Sequence, residues 1–259
     1  MNTDQVLYSV EGAVARVTLN RPEKRNALND AVIAGVKRGL KEAARDERLR
    51  VVVISGAGKD FCSGADLSAL QKIANASVAE NAEDARLLLE LFLLIRQLPL
   101  PVVAAVTGRA LAGGCGLATA CDLVLAASSA RFGYPEVKIG FVPAMVMAIL
   151  RRNVSEKRAF ELITRGAEIS AAQAKDFGLV NHVFPNESFA EDVNQYVSEF
   201  EKMSASAIGL TKTLLYQIDG MGFPEALETG ADVNVIARLT DDCRRSIAKF
   251  LKKEPQKGT

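Results

Sequence analysis

The stretch AVTGRALAGGCGLATACDLVLA, residues 105–126, is the part of the sequence that decides the fold. It opens on the end of a β-type run at Val102–Val106 and closes on a second such run at residues 123–126. Between them, Gly113 and Gly114 precede a run of small residues with helical character. A strand, a glycine turn, a short helix and another strand are typical, in this order, of layered α/β proteins.

Further β-type runs precede this stretch. Residues 6–10 and 13–19 predict two strands joined by a tight turn at residues 11–12. Residues 51–55, VVVIS, form a continuous run of mostly β-branched side chains, which is typical of a strand covered on both faces. The N-terminal half is therefore predicted to form a sheet of several strands.

Helical periodicity accounts for most of the remaining chain. One helix is predicted from a cap at Asn29 or Asp30 to about Arg45. After about Pro143, β-type runs nearly vanish, apart from residues 179–184. Helices are predicted there at residues 144–152, 155–164, 170–177, 187–201, 204–218, 223–238 and 240–252, the last capped by Thr240.

The composition excludes several classes of protein. The chain has 259 residues, 49% hydrophobic and 24% charged, with a formal net charge of +1. This balance predicts a globular protein without a nucleic-acid or membrane partner, and no apolar run approaches the ~20 residues of a membrane span. The first residues, MNTDQVLYSV, lack the basic and apolar regions of a secretory signal, so we expect a cytoplasmic protein.

One histidine and four cysteines limit the chemistry further. No two cysteines form a CxxC pair, and with His182 alone they cannot build the usual closed zinc site. We therefore expect no metal, reduced and mostly buried cysteines, and a structural role for His182. The mechanism is expected to rest on carboxylates and backbone groups.

Two glycine loops follow predicted strands: SGAGKDFCSGADL at residues 55–67 and TGRALAGGCGLATACD at residues 107–122. The carboxyl ends of parallel strands lie at one edge of a sheet, where ligand sites form. Backbone N–H groups near Ala65 and Gly113 could converge there on one oxygen and stabilise its developing charge. The alternative is that the glycines only permit tight turns and close packing.

Five segments together resemble the crotonase, or enoyl-CoA hydratase/isomerase, superfamily over nearly the whole chain. The resemblance implies an α/β fold, a crotonase-like spiral of ββα units over residues 1–200 with the acyl-CoA site, and a helical C-terminal trimerisation subdomain over residues 201–259. It also implies a homotrimer or homohexamer. The segments are LNRPEKRNALN (19–29), FCSGADL (61–67), residues 105–126, FGYPEVKIGFVPA (132–144) and GLVNHVF (178–184).

The resemblance also implies the site residues. The N–H groups of Ala65 and Gly113 would hold the oxygen of a thioester enolate. No separate cofactor is implied, because coenzyme A is part of the substrate. Its contacts would be Lys24, Arg25, Ala27, Ala65, Asp66 and Leu67, with Phe250 and Lys253 supplied by a neighbouring subunit.

Glu136 is the predicted catalytic acid and base. Hydratases of this type commonly use two glutamates, but the first position is Gly116 here. One carboxylate suffices to move a proton in a Δ3-Δ2-enoyl-CoA isomerase. It could also add water to an enoyl-CoA if backbone groups or Tyr134 held that water. The segment EVKIGFVPA is similar to that of branched-chain methylglutaconyl-CoA hydratases, which favours a hydratase, with the isomerase and a non-catalytic acyl-CoA binding protein as alternatives.

Overall fold

The computed structural model describes residues 4–66, 71 and 74–253. The strands are β1 (Val6–Glu11), β2 (Val14–Leu19), β3 (Val51–Gly56), β4 (Val102–Val106), β5 (Arg109–Leu111), β6 (Leu123–Ala127), β7 (Arg131–Gly133), β8 (Ile169–Ser170) and β9 (His182–Phe184). Six of them form a sheet in the order β1-β2-β3-β4-β6-β9, and β5, β7 and β8 form a small second sheet. In the large sheet β1 is antiparallel to β2, and the other neighbours are parallel.

Ten α-helices connect and follow these strands in the described ranges. Asn29 caps the first of them by accepting a hydrogen bond from the N–H of Val32, as predicted. The helices are α1 (Asp30–Arg45), α2 (Val78–Gln97), α3 (Gly113–Ala120), α4 (Ala144–Asn153), α5 (Glu156–Arg165), α6 (Ala171–Phe177), α7 (Phe189–Ser198), α8 (Ala205–Gln217), α9 (Phe223–Leu239) and α10 (Asp241–Lys253).

The predicted strands of the large sheet and the seven C-terminal helices are confirmed, with shifts of one to three residues at most ends. The N–H of Cys243 donates to the hydroxyl of Thr240, which confirms the predicted cap of the last helix. The second sheet was not predicted. Its strands have only two or three residues, too few to show an alternating pattern, and pairing between distant segments forms them.

Apolar side chains cover both faces of the large sheet. Along β3, Val52 and Ile54 join the cluster that contains the buried side of α1, whereas Val51 and Val53 join a second cluster with Val193 of α7. The interpretation of residues 51–55 as a doubly covered strand is therefore confirmed. Among the helices of the described residues, none combines the length and the apolar character that crossing a membrane requires.

A buried ion pair attaches the C-terminal helices to the sheet. The ammonium group of Lys212, on α8, donates to the carbonyls of Ile95 and Leu100 at 2.8 Å each and to the carboxylate of Asp122 at 2.6 Å. Asp122 also accepts the N–H of Val102 at 2.6 Å. Asp122 therefore braces the start of β4, while its ion pair with Lys212 joins α8 to the sheet.

Candidate active site

Buried polar contacts join residues 19–29, the first of the five family segments, to the first glycine loop. The side chain of Asn26 is fully buried and donates to the carbonyls of Ala57 and Asp60 at 2.9 and 2.7 Å. Arg21 forms an ion pair of 2.7 Å with Asp66 and also donates to the carbonyl of Ala27. Asp66 therefore holds the loop through its ion pair with Arg21. Sequence reasoning missed both Asn26 and Arg21, because a short charged segment shows no period.

The N–H of Ala65, in the first glycine loop, is the first of the two predicted donors. On one side, the N–H of Leu28 donates to the carbonyl of Gly64 at 2.7 Å and the N–H of Asp66 donates to the carbonyl of Leu28 at 3.0 Å. In a parallel bridge of this kind, the N–H of the residue between them, Ala65, points to the opposite side. Within the described residues, that N–H has no hydrogen-bond acceptor.

The second donor lies at the start of α3. Gly113 is the first residue of this helix, so its N–H has no acceptor inside the helix, and none is found elsewhere in the described parts of the chain. The preceding residue, Ala112, has φ 49° and ψ −129°, a conformation that costs a residue with a side chain about 1–3 kcal/mol. Its N–H donates to the carbonyl of Gly133, which fixes the start of α3 against β7.

The two glycine loops are in contact where these donors lie. A Cβ atom on Gly64 would stand 2.7 Å from the Cβ of Ala112 and 3.6 Å from the nitrogen of Gly113. Gly64 itself has φ +94°, which favours glycine. Gly64, the residue before Ala65, therefore packs against the start of α3 at Gly113, and neither Ala65 nor Gly113 has an acceptor for its N–H in the described part of the chain.

Glu136 lies beside the same helix. It is the second residue of a 3-10 helix, Pro135–Ile139, which follows β7, and only 8% of it is exposed. Its Oε2 atom is buried without a hydrogen-bond partner among the described residues. Burial raises the pKa of this carboxyl above its ordinary value. The unpartnered oxygen is an acid–base group that a bound molecule or water would satisfy.

A backbone hydrogen bond places the segment of Glu136 at the start of α3, because the carbonyl of Gly133 accepts the N–H of Ala112, the residue before α3. Burial raises the pKa of the Cys115 thiol on α3 to about 11, and the charge of Glu136 adds to this shift. Tyr134 is fully buried, and its hydroxyl lies 2.7 Å from that of Thr119. Because Thr119 donates its own proton to the carbonyl of Cys115, Tyr134 must donate to Thr119. Its proton is therefore used within the core. The oxygen of Tyr134 keeps acceptor lone pairs, so its expected role in holding a water stays a prediction.

Gly116 is closely packed. A Cβ atom there would lie 2.5 Å from a methyl carbon of Val146 on α4 and 3.4 Å from the ring of Phe92. A side chain at this position would require the side chain of Val146 to move. Position 116 therefore supplies no carboxylate to the site.

The predicted coenzyme A contacts differ in their surroundings. Lys24 and Arg25 are exposed and form no ion pair within the described residues, so they are free to meet an anion. Ala27 is buried, and its carbonyl already accepts from Arg21. Leu67 lies outside the described residues. On α10, Phe250 is 67% exposed, and Lys253 ends the helix with its side chain outside the described part.

The cysteines and the histidine have surroundings that fit a structural role. Cys62, Cys115 and Cys121 are buried free thiols and Cys243 is half-buried, as predicted. The ring of His182 is exposed and contacts the rings of Phe184 and Tyr196.

Comparison with known proteins identifies the family. A family model described as "Enoyl-CoA hydratase/isomerase" matches residues 9–257. The chain belongs to this family. It is 40% identical over 245 residues to a "Putative enoyl-CoA hydratase" of Thermus thermophilus, with 95% of this chain and 97% of that protein covered. It is also 32% identical to a "1,2-epoxyphenylacetyl-CoA isomerase" of Escherichia coli, with 97% of each covered.

The family's fold is shared with solved structures. The crystal structure of an enoyl-CoA hydratase from Mycobacterium smegmatis superimposes with a TM-score of 0.91 at 31% identity, covering 96% of this chain and 97% of that one. The predicted crotonase fold is confirmed, and so is the prediction that the chain is an enzyme of this family.

Substituting Gly114 by alanine should separate the two glycine loops. A Cβ atom there would lie 2.4 Å from the carbonyl oxygen of Cys62. Because backbone must move to make room, we expect a loss of about 1–3 kcal/mol in the free energy of unfolding and a fall in kcat of about tenfold or more, as the two donors are displaced. Gly230→Ala is the control, since nothing lies within 4 Å of its Cβ position. Equal kcat for the two variants would contradict the close packing.

Proposed function

We propose that the chain is an enoyl-CoA hydratase in which Glu136 is the single acid and base. The observation that carries the proposal is the buried, unpartnered Oε2 of Glu136 beside a helix whose first N–H is free. The N–H groups of Ala65 and Gly113 would hold the thioester oxygen on which negative charge develops. One such donor typically contributes about 2.7–4 kcal/mol to stabilising a transition state.

Hydration would proceed in two proton transfers by the same carboxylate. Glu136 takes a proton from water while the water oxygen bonds to the β carbon of the enoyl thioester. The π electrons of the Cα=Cβ bond move to the thioester oxygen, which the two N–H groups stabilise. Glu136 then returns the proton to the α carbon, so that one molecule of water is added to one face of the double bond.

A Δ3-Δ2-enoyl-CoA isomerase is the second candidate, and the close packing of Gly116 against Val146 supports it. With no second carboxylate at this position, Glu136 would remove a proton from the α carbon of a 3-enoyl-CoA and deliver it to the γ carbon. The same two N–H groups would stabilise the enolate. This reaction needs no bound water.

Absorbance of the conjugated enoyl thioester separates the candidates. Loss of the signal with crotonyl-CoA indicates hydration, and its gain with a 3-enoyl-CoA indicates isomerisation. No change with either substrate, together with measurable acyl-CoA binding, would overturn the proposal in favour of a binding protein. A panel of linear and branched acyl-CoA substrates, including 3-methylglutaconyl-CoA, tests the predicted branched-chain preference.

The pH dependence of kcat/KM should report on Glu136. Both candidate reactions begin with the ionised carboxylate, and burial raises its pKa above the ordinary value of 4.5. We therefore expect kcat/KM to rise with pH through an inflection above 4.5 and then to level off. An inflection below 4.5, or a flat profile in an active enzyme, would contradict this assignment.

Lys24 and Arg25 would bind the phosphates of coenzyme A, with the backbone of residues 65–67 along the pantetheine arm. We further propose a homotrimer or homohexamer in which Phe250 and Lys253 complete this site from a neighbouring subunit. The supporting observation is that Phe250 is exposed on α10, a helix that packs against α8 and α9.

A further inference from the structure

Glu136 is the one buried residue in an otherwise open segment of the chain. Pro135 before it is half-buried, and residues 137–142 after it are exposed. The Oε2 atom of Glu136 has no hydrogen-bond partner among the described residues, so this oxygen does nothing to fix the segment. The position of the carboxylate therefore depends on the neighbouring residues that hold the 3-10 helix Pro135–Ile139 to the core.

Tyr134 attaches this 3-10 helix to α3. It immediately precedes the helix, and its side chain is fully buried. Its hydroxyl donates to Oγ1 of Thr119 at 2.7 Å, and Thr119 donates to the carbonyl of Cys115 at 2.8 Å. Two hydrogen bonds in series thus connect the residue two positions before Glu136 to the first turn of α3.

Backbone contacts enclose the same segment from two directions. The N–H of Ala112, before α3, donates to the carbonyl of Gly133 at 2.9 Å. From another direction, a Cβ atom on Gly166 would lie 3.3 Å from the Cα atom of Pro135. These contacts limit how far the segment can move, and the hydroxyl of Tyr134 adds a directional contact in the buried interior.

Tyr134 acts in this network as a donor and not as a base. Burial raises the pKa of its hydroxyl well above the ordinary value, and the charge of Glu136 adds to the shift. The hydroxyl therefore keeps its proton at neutral pH. Because the charge of Glu136 acts on this hydroxyl, a change at Tyr134 is expected to reach the carboxylate.

We propose that Tyr134 is a positioning residue, whose hydrogen bond to Thr119 keeps the carboxylate of Glu136 in its buried place. This inference rests on the proposed role of Glu136 as the acid and base. A carboxylate that must take a proton and return it to carbon depends on its exact placement, and a shift of about 1 Å can cost about a hundredfold in rate. Loss of one hydrogen bond at the end of the segment should cost less, about tenfold.

Removing either hydroxyl tests the positioning. Tyr134→Phe and Thr119→Val each break the hydrogen bond, so each should lower kcat about tenfold while KM for the acyl-CoA stays within about twofold. Thr119→Ser keeps a hydroxyl and should retain most of the wild-type kcat. Both substitutions remove the same bond, so the double variant should be no slower than the slower single one. The double variant also leaves neither hydroxyl buried without its partner, so the test holds if Thr119→Val fails to fold.

A titration without turnover gives the second readout. Carbon-13 NMR of protein labelled in its glutamate carboxyl groups follows the pKa of Glu136, whose signal is identified by its loss in Glu136→Gln. A carboxylate that leaves its buried place is better hydrated, so Tyr134→Phe should move this pKa down toward 4.5. The inflection of kcat/KM should move with it. A role of Tyr134 in folding alone would leave both unchanged.

Tyr216→Phe is the matched control, because its hydroxyl also forms a hydrogen bond of 2.7 Å, to Asp122 in the ion pair with Lys212. It should keep the wild-type kcat and Glu136 pKa, and thermal melting checks that every variant is folded. Wild-type values of both in Tyr134→Phe would overturn the proposal. So would a loss of kcat in Tyr134→Phe with a normal, folded Thr119→Val, which would favour direct contact of Tyr134 with the substrate water. An active Glu136→Gln would instead contradict the proposed function, and the titration would still test the positioning.

Discussion

Replacing Glu136 by glutamine should lower kcat about a thousandfold while leaving KM for the acyl-CoA nearly unchanged. Glutamine has the same shape and can still form hydrogen bonds, but it cannot accept and return a proton. A positioned general acid or base typically contributes about 10²–10⁴-fold to the rate. Steady-state kinetics with whichever substrate the wild type turns over measures the effect.

The matched control for this variant is Glu168→Gln. Glu168 is close to β7 in space but pairs with Arg109 at the protein surface, so its loss should leave kcat unchanged. Turnover of the Glu136→Gln protein within threefold of the wild type would remove this carboxylate from the mechanism.

The Glu136→Gln variant also tests how this carboxylate affects stability. Burial raises the pKa of Glu136 in the folded protein, so the folded state binds the proton more tightly than the unfolded state. The ionised carboxylate therefore lowers stability at neutral pH, and this cost disappears below about pH 4, where both states are protonated. Urea unfolding should show Glu136→Gln to be at least as stable as the wild type at pH 7, which also separates lost activity from lost folding.

Lys212→Met should destabilise the protein by about 3–5 kcal/mol, because breaking a buried ion pair leaves the partner charge uncompensated. The lysine and aspartate side chains are 7% and 14% exposed, so little water can replace the lost ammonium group. The carbonyls of Ile95 and Leu100 lose their donor in the same substitution. Among the described residues, Asp122 would keep the N–H of Val102 and the hydroxyl of Tyr216 as donors.

Urea denaturation at pH 7 measures this loss against Lys202→Met. Lys202 is exposed, so the control removes an ammonium group of the same size without breaking a buried pair. A difference below about 1 kcal/mol between the two variants would show that the pair contributes no more than a surface contact.

Local sequence patterns were sufficient to predict most of the helices and strands. Residues 51–55 predicted a doubly covered strand because continuous β-branched runs fit only a strand with apolar neighbours on both faces. Thr240, with acidic residues after it, predicted the start of α10 because a helix needs acceptors for its first N–H groups. These patterns depend on residues that are close to one another in the sequence. The strands of the second sheet have no such signal, since Arg109–Leu111 becomes a strand only by pairing with Arg131–Gly133.

The sequence by itself determined the layered α/β class, the order of the main elements and the family resemblance, and it predicts Glu136, Ala65 and Gly113 as site residues. Only the tertiary structure decided that a Gly64–Ala112 contact joins the two loops, that the Tyr134 proton is used within the core, and that Lys212 closes a buried ion pair with Asp122. The reason is physical. Periodicity and capping act between residues close in the chain, whereas burial, pKa shifts and unpartnered polar atoms depend on which distant segments exclude water from one another.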